Sequence, residues 1–488
     1  MQQSFLFGKS ILLTGVTGFV GKAVLESILR DHHRHIKHVF CLVRANDKQS
    51  MHERIKQVLD GQLFDALRNR VGVAKFKDIA AKVVPIQGDI SIPGVGLSEG
   101  DIGLLHAHLN LVIHSAATVN FNMPLKDALR INTLGTMELL DICERGAYFQ
   151  GFVYISTAYV NANLKSGKVE ERLYAMPLGD PATLVNEIQA MSHEQAIHFT
   201  KKVLQVYPNT YTFTKSIAEH LLYNCATPTA SVRLSVVASA AQDPVPGWVN
   251  GTSGLNGASI LIGQGIIDTL HIPRNKSPDI VPVDFATNAI TRICAEMLDT
   301  PRNQIYHVGS SAINPMMWDV FFMASLKVWR QLPPIRGQIF PPDCHIIQSP
   351  ADYQTRLASV EEFKFHTLPS LIDPNNTKLI SQINHAKQKL ALFHSHYDYF
   401  LKKRWSFDIS NLATLEAIQA TRTDILSSTV NIAHLQALDW DNYITQFIQG
   451  LHYFVLKETS IYPQLTMPPT LHQKILPEIK AAIAKTKL

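Results

Sequence analysis

The stretch SILLTGVTGFVGKAVLESILR, residues 10–30, decides the fold of this chain. Its opening, SILLTG (10–15), is a near-continuous apolar run, which is typical of a strand buried on both faces of a sheet. Its end, VGKAVLESILR (20–30), has the spacing of an amphipathic helix. The stretch therefore predicts a strand that turns directly into a helix.

Three glycines at GxxGxxG spacing form the turn, at Gly15, Gly18 and Gly21. The first permits a tight turn, the second lets the backbone approach a pyrophosphate, and the third lets the helix pack against the sheet. Free N–H groups at the helix start favour phosphate. Glycines of an ordinary turn are the alternative, but the strand–turn–helix context favours dinucleotide binding. The other residues predicted to contact the cofactor in this turn are Thr17, Phe19 and Val20.

Similar apolar runs alternate with helical patterns through the first half of the chain. Repeated strand–helix units predict right-handed crossovers and a doubly wound, Rossmann-type parallel α/β sheet. The runs are 10–15, 38–44, 82–88, 111–117, 151–157 and 230–237, with helices predicted at 20–30, 125–145 and 182–206.

The pattern changes after residue 240. Residues 241–257 are rich in Pro and Gly and predict a loop. A strand and helix over 279–298 and a further strand over 304–311 follow. With 332–343 as a linker, we predict a cofactor domain at 1–330 and a smaller, mostly helical substrate domain at 331–488.

Composition excludes several classes of protein. The 488 residues are 46% hydrophobic and 17% charged, a globular balance, and the net charge of +5 is spread along the chain rather than gathered as in a nucleic-acid-binding tail. Five widely spaced cysteines without a CxxC pair indicate neither a zinc site nor a disulfide framework, so a cytoplasmic setting fits best. The apolar runs predict no signal peptide and no transmembrane helix, so any membrane contact would be peripheral.

The end of the second strand indicates which dinucleotide is bound. An acidic residue here would accept from the 2′-hydroxyl of NAD, but the chain has Arg44, which suits the 2′-phosphate of NADPH. Arg54 could assist it, and a solvated strand-end arginine is the alternative. Asp89 and Ile90 are predicted to flank the adenine. Ala116 and Ala117 are small enough to lie beside the nicotinamide, and His114 is either a core or a functional residue.

A tyrosine and a lysine four residues apart, Tyr211 and Lys215, share one face of a predicted helix. An adjacent ammonium should lower the pKa of the tyrosine, which suits proton delivery, and the lysine can bind the nicotinamide ribose. Thr157 or, as second choice, Ser156 would hold the substrate carbonyl at the end of the fifth strand. Two solvated helix residues are the alternative.

Together these motifs resemble the extended short-chain dehydrogenase/reductases. More narrowly, the chain resembles the alcohol-forming fatty acyl-CoA reductases and the related thioester-reductase domains. The matching stretches include LLTGVTGFVGKAVLESILR, HSAATVNF, ISTAYVN, NTYTFTKSIAEHLL, PVPGWVNG, IVPVDFATNAI, RWSFDISN and LDWDNYITQFIQGLHYFVLKE.

This resemblance implies NADPH-dependent reduction of a fatty acyl-CoA or acyl-carrier-protein thioester, through an aldehyde, to a primary alcohol. It places the catalytic tyrosine and lysine on Tyr211 and Lys215 and the strand-end hydroxyl on Thr157. The family usually has proline where this chain has Leu234, which leaves the conformation of the loop beside the nicotinamide open.

The acyl chain would need a long apolar tunnel. The loop around Trp248 and the aromatic residues of the second half could line it, although ordinary core packing explains each of them equally well. These aromatic residues are Trp405, Phe407, Tyr453 and Phe454. Near the end of the chain, Lys480, Lys485 and Lys487 lie opposite apolar positions, which favours a solvated amphipathic helix over one that touches anionic lipid.

Three rival functions remain. A reductase of the same family could stop at the aldehyde. A nucleotide-sugar epimerase or dehydratase would retain NAD, but Arg44 and the matches in the second half argue against it. A non-catalytic NADPH-binding regulator would usually lack the tyrosine or lysine, and both are present. Chain-length preference, the choice between CoA and carrier protein, and the oligomeric state are left open.

Overall fold

The computed structural model describes residues 4–45, 49–335, 337–372, 375–420 and 430–458. The strands are β1 (Ser10–Thr14), β2 (His38–Val43), β3 (Val83–Gln87), β4 (Leu111–His114), β5 (Gly151–Thr157), β6 (Gly167–Val169), β7 (Thr229–Leu234), β8 (Val236–Ala238), β9 (Thr269–His271), β10 (Ile280–Pro282), β11 (Gln304–Val308), β12 (His345–Ile347) and β13 (Trp405–Phe407).

The helices of the first half are α1 (Phe19–His32), α2 (Met51–Leu59), α3 (Asp65–Val71), α4 (Val73–Ala80), α5 (Glu99–His108), α6 (Leu125–Leu129), α7 (Gly135–Glu144), α8 (Pro181–Ala190), α9 (His193–Val206) and α10 (Thr210–Tyr223). Those of the second half are α11 (Leu255–Gly263), α12 (Val283–Asp299), α13 (Trp318–Gln331), α14 (Pro350–Glu362), α15 (Leu368–Leu371), α16 (Thr377–Leu401), α17 (Ser410–Gln419), α18 (Ile432–Gln436) and α19 (Trp440–Gly450).

Seven of the described strands form one parallel sheet in the order β11-β7-β5-β4-β1-β2-β3. The strand order reverses between β1 and β4, which is where ligands bind in doubly wound sheets, outside the carboxyl ends of the strands. The predicted fold class is therefore confirmed, and the predicted strand at 304–311 forms the edge of the sheet as β11.

Alternating residues of β1 build the two sides of the core. Ile11 and Leu13 pack with apolar residues of α1, α2 and α12, whereas Leu12 packs on the opposite face with α5, α7 and α10. Both faces are covered, which explains why the strands read as continuous apolar runs.

Two predicted helices differ from those in the structure. The region 182–206 divides at Met191 because Ser192 starts a new helix with a capping box, in which Ser192 and Gln195 bond to each other's backbone N–H groups. The predicted helix at 125–145 is α6 and α7, joined through a π-helical turn at Arg130–Leu134.

Short parallel strand pairs join distant parts of the chain. Strand β12 pairs with β9, and β13 pairs with β6. One buried cluster contains both Phe5 and Phe454, near the two ends of the described chain. The domain boundary near residue 330 falls at the end of α13 and stays a prediction.

None of the described helices is long and apolar enough to cross a membrane. The lysines predicted to lie on an amphipathic helix, Lys480, Lys485 and Lys487, lie outside the described residues. Four of the five cysteines are buried, at Cys41, Cys143, Cys294 and Cys344.

Candidate active site

The glycine turn lies at the switch point of the sheet and leaves no room for side chains. Gly15 has a φ of 70°, and a Cβ there would lie 2.7 Å from the backbone of Ser115. A Cβ on Gly21 would lie 2.2 Å from the carbonyl oxygen of Gly15, so helix α1 packs directly on the turn. Gly18 is the N-cap of α1 and makes no side-chain cap bond, so the helix start is open to an anion.

The loop after β4 is held against this turn by a buried hydrogen-bond network. The hydroxyl of Thr14 accepts from the backbone N–H groups of Ser115 and Ala116 at 3.1 and 3.0 Å. His114 is fully buried between Thr14 and Thr136, at 2.9 and 3.0 Å. Burial and the charge of Lys215 lower the pKa of His114 to about 3. His114 is therefore a neutral packing residue, and it sets the position of the half-buried Ala116 and Ala117.

Two arginines and an aspartate meet at the ends of β2 and β3. Arg44 is two-thirds exposed, and its Nη1 lies 3.6 Å from Asp89 Oδ2, while Arg54 donates to the backbone carbonyl of Arg44. Burial opposes ionisation of Asp89, but hydrogen bonds from Ser91 and the charge of Arg44 lower its pKa overall. The structure thus brings Arg44, Arg54 and Asp89 together, and the two guanidinium groups form a cationic edge.

The next residue, Ile90, is buried and contacts a different element. Its carbonyl oxygen lies 2.2 Å from where a Cβ on Gly135 would stand, so the start of α7 packs closely on the loop after β3. The close approach fixes the main chain around the predicted adenine site.

Helix α10 carries the tyrosine and lysine to the end of β5. It begins at Asn209, whose side chain accepts from the N–H of Thr212 at 2.9 Å. The hydroxyls of Tyr211 and Thr157 share a hydrogen bond, so two of the predicted catalytic groups are in contact. Ser156 is also buried here, and its hydroxyl has no hydrogen-bond partner among the described residues.

The prediction of a lowered Tyr211 pKa is wrong. Burial raises the pKa of Tyr211 to about 12, and the hydrogen bond with Thr157 offsets only part of that effect. The phenol is therefore protonated at neutral pH, and it can act as a hydrogen-bond donor and as an acid.

Lys215 is the most tightly enclosed of the catalytic candidates, with 2% of its surface exposed. Its Nζ donates to the carbonyl of Ile155 at 2.8 Å and lies 3.9 Å from the centre of the Tyr154 ring. Burial lowers the pKa of Lys215 to about 7, although the charge of Glu219 raises it. A small change in its surroundings therefore decides whether this group is charged at neutral pH.

The sequence patterns did not predict the buried ion pair that lies beside Lys215. Arg233 of β7 donates through Nε and Nη2 to the carboxylate of Glu219, the shortest contact being 2.7 Å, and both side chains are 1% exposed. Arg233 Nη1 also lies 3.2 Å from His307 Nε2. The available signal was the spacing of Lys215 and Glu219, which places them on one helix face.

Asn132, in the π-helical turn, is a second residue that sequence reasoning missed. Its Oδ1 accepts from the N–H of Thr118 at 2.9 Å, and its Nδ2 donates to the hydroxyl of Thr214 at 3.1 Å. It joins the loop after β4 to α10. Thr212 and Thr214 bond to the backbone at the start of α10, so they serve the helix start and its packing.

The segment after β7, which includes β8 and the loop that follows it, is well anchored despite the leucine in place of proline. Leu234 is a buried strand residue paired with Val308 and Thr157. The carboxylate of Asp284 accepts from three successive backbone N–H groups, at residues 241–243. Helix α19 closes on the same loop, since a Cβ on Gly450 would lie 1.8 Å from the carbonyl oxygen of Gly247.

The aromatic residues predicted to line an acyl tunnel lie in three places. Trp248 packs against Phe19 with ring centres 5.2 Å apart, beside the glycine turn. Trp405 and Phe407 contact Tyr159, next to the end of β5. The other two, Tyr453 and Phe454, lie in a π-helical turn that follows α19.

Phe121 links Tyr211 to the second half of the chain. Phe121, in the loop after β4, stacks on Tyr211 with ring centres 5.9 Å apart. On its other sides Phe121 meets His396, Tyr397 and Phe400 of α16, at 5.4 to 6.2 Å. The end of α16 therefore forms a wall beside the candidate catalytic groups.

Comparisons with known proteins identify relatives of this chain. A family model described as "Male sterility protein", an NAD-binding domain, matches residues 13–290. The chain is 30% identical to "Fatty acyl-CoA reductase 1" of Rattus norvegicus over 458 residues, covering 92% of this chain and 85% of that protein. It is 29% identical to the Homo sapiens protein of the same name, with the same coverage.

Among solved structures, the terminal R domain of the myxalamid PKS-NRPS pathway superimposes with a TM-score of 0.59 at 20% identity, over 92% of this chain and 91% of that one. The reductase domain of a nonribosomal peptide synthetase from Mycobacterium tuberculosis gives 0.57 at 18% identity, over 93% of each chain. These likenesses establish the fold.

Proposed function

Since this chain belongs to the fatty acyl-CoA reductase family, we propose that it uses NADPH to reduce a long-chain fatty acyl thioester to a primary fatty alcohol. The family makes the chain an oxidoreductase with a nicotinamide cofactor. The proposal adds the choice of NADPH, the acyl-CoA or acyl-carrier-protein substrate and the alcohol product. The observation that carries it is the hydrogen bond between the Tyr211 and Thr157 hydroxyls at the carboxyl end of β5.

The residues around the switch point fit a dinucleotide. Gly15 and Gly21 leave room for the backbone to approach a pyrophosphate, and the start of α1 offers uncapped N–H groups. Arg44 and Arg54 would hold the 2′-phosphate that distinguishes NADPH from NADH. When bound, NADPH supplies the hydride.

Tyr211 and Thr157 would hold the carbonyl oxygen of the thioester. Negative charge builds on that oxygen as the carbonyl carbon is reduced, and donors already in place stabilise it without reorganisation. Because its pKa is about 12, the phenol of Tyr211 remains protonated and can donate throughout. Lys215, tied to the carbonyl of Ile155, would hold the nicotinamide ribose beside them.

The reaction needs two rounds at this site. In the first, reduction of the thioester carbonyl gives a hemithioacetal. Its C–S bond then breaks, which releases the thiol and leaves an aldehyde. In the second, the aldehyde is reduced and Tyr211 gives its proton to the alkoxide. The overall balance is one acyl thioester, two NADPH and two protons to one alcohol, one thiol and two NADP⁺.

A panel of acyl-CoAs tests the proposal. Purified protein should oxidise two NADPH for each fatty alcohol found by gas chromatography, with little activity on NADH. Accumulation of aldehyde with one NADPH oxidised would contradict the alcohol-forming reaction, and equal use of NADH would contradict the role of the arginines.

A further inference from the structure

Four aromatic side chains surround Phe121, and three of them are either apolar or carry a hydroxyl that already has a hydrogen-bond partner. Tyr211 shares a hydrogen bond with Thr157. The hydroxyl of Tyr397 accepts from the backbone N–H of Gly254 at 3.1 Å. Phe400 is apolar, and it packs on Tyr159 with ring centres 5.3 Å apart. The fourth ring is His396, in the T-shaped contact with Phe121 described above.

His396 differs from its neighbours because one of its ring nitrogens is buried and unpaired. Its Nε2 is shielded from solvent and has no hydrogen-bond partner among the residues that the structure describes. Leaving a buried polar atom without a partner is unfavourable, since the atom has lost its water and gained nothing in return. Such an atom in a wall beside a catalytic tyrosine indicates a partner that arrives with the substrate.

The charge of His396 indicates which chemical groups could be its partner. Burial lowers its pKa, so the ring is neutral at neutral pH and offers one N–H and one lone pair. A neutral ring suits an amide better than a phosphate. Tyr211 and Thr157 already serve the thioester oxygen, so the partner is a second polar group nearby.

We propose that His396 determines specificity for the thiol part of the substrate, by hydrogen-bonding through Nε2 to the amide of the pantetheine arm nearest the sulfur. This inference rests on the proposed function. That amide is separated from the sulfur by two methylene groups in both acyl-CoA and acyl-carrier protein. His396 and Tyr211 contact the same ring, Phe121, which places the imidazole on the side of the site next to the proposed thioester position.

Two thioesters of the same acyl chain test this assignment: the acyl-CoA, and the S-ethyl thioester, which lacks the pantetheine amides. His396→Phe keeps the ring against Phe121 but removes both nitrogens. We expect kcat/KM for the acyl-CoA to fall about tenfold, the loss of one neutral hydrogen bond, and kcat/KM for the S-ethyl thioester to change less than about twofold.

Two variants support the comparison. His396→Gln retains an N–H at a similar distance and should recover most of the acyl-CoA activity. His385→Phe, on the exposed face of the same helix, should leave both substrates unaffected.

The outcomes separate the inference from the proposed function. Equal losses on the two thioesters, or no loss on acyl-CoA, would overturn the assignment of His396 and leave the acyl reduction intact. A wild-type protein that oxidises no NADPH with either thioester would overturn both.

Discussion

In the proposed reaction, the hydroxyl of Tyr211 is the single group on which the chemistry depends most. Tyr211→Phe removes the donor to the substrate oxygen and the proton source for the alkoxide, so we expect kcat to fall about 10²- to 10⁴-fold. Binding of NADPH, measured by fluorescence titration, should change less than about threefold because the proposed phosphate contacts are at α1 and the arginines.

A matched tyrosine serves as the control for this change. Tyr207, four residues earlier, is buried against Phe213, away from the catalytic hydroxyls. Tyr207→Phe should retain activity within about threefold. Comparable turnover by Tyr211→Phe and Tyr207→Phe would remove Tyr211 from the mechanism.

The charge of Lys215 predicts the dependence of activity on pH. Because burial lowers the pKa of this lysine to about 7, the ammonium form is complete below that pH and is lost as the pH rises through it. We therefore expect kcat/KM to fall on the alkaline side, starting near pH 7. The groups that face Lys215 on neighbouring strands, His114 and Tyr154, stay neutral over this range because burial lowers the pKa of the first and raises that of the second.

Glu219→Gln should move this alkaline limb to lower pH. The substitution removes the negative charge that raises the pKa of Lys215, and it leaves the positive charge of Arg233 unpaired nearby. Activity at pH 8 should fall severalfold more than activity at pH 6, whereas the exposed Glu194→Gln should leave the profile unchanged. An equal loss at both pH values would indicate a purely structural role for the ion pair.

Among the secondary-structure elements, the ends of β2 and β3 carry the residues that we propose select the cofactor. Arg44→Ala removes one charge-assisted contact to the 2′-phosphate, so KM for NADPH should rise about 10- to 100-fold while KM for NADH stays constant. Arg145→Ala, whose side chain pairs with Asp141 on the surface of α7, is the control. A parallel rise of both KM values would show that Arg44 does not read the phosphate.

Helix α19 depends on a close contact between two glycines. Gly450→Ala would force its Cβ against the carbonyl of Gly247, so the helix must shift, and we expect a loss of at least about 2 kcal/mol in the free energy of unfolding. Gly103→Ala, in α5 with no atom within 4 Å of the new Cβ, should be neutral or stabilising by up to about 1 kcal/mol. Thermal denaturation of the two variants compares them directly.

Local patterns predicted these elements well and their interruptions poorly. The apolar runs located the strands because both faces of the sheet are covered. The division of 182–206 was present in the sequence as Ser192 and Gln195, a capping box, but helical periodicity on both sides of it outweighed that signal. The π-helical turn that carries Asn132 has no comparable signal, because its residues continue the helical spacing of α6 and α7.

At the scale of the whole molecule, a contact could be predicted when its residues are close along the chain or belong to neighbouring α/β units. Tyr211 and Lys215 lie on one helix, and the parallel α/β pattern places Thr157 at the neighbouring strand end. That pattern was therefore sufficient to predict that the three residues lie together. The contacts of Phe121 with α16 join distant parts of the chain, and no local periodicity encodes them. The pKa of Tyr211 could not be predicted from the sequence either, because it depends on how deeply the site is buried.

The central claim is that one site delivers two hydrides from NADPH to the same acyl carbon. The most direct test is to incubate the purified protein with a long-chain acyl-CoA and NADPH that carries deuterium at both C4 positions, and to measure the product by mass spectrometry. The account predicts a primary fatty alcohol with two deuterium atoms on C1. An aldehyde with one deuterium, or an unlabelled product, would contradict it.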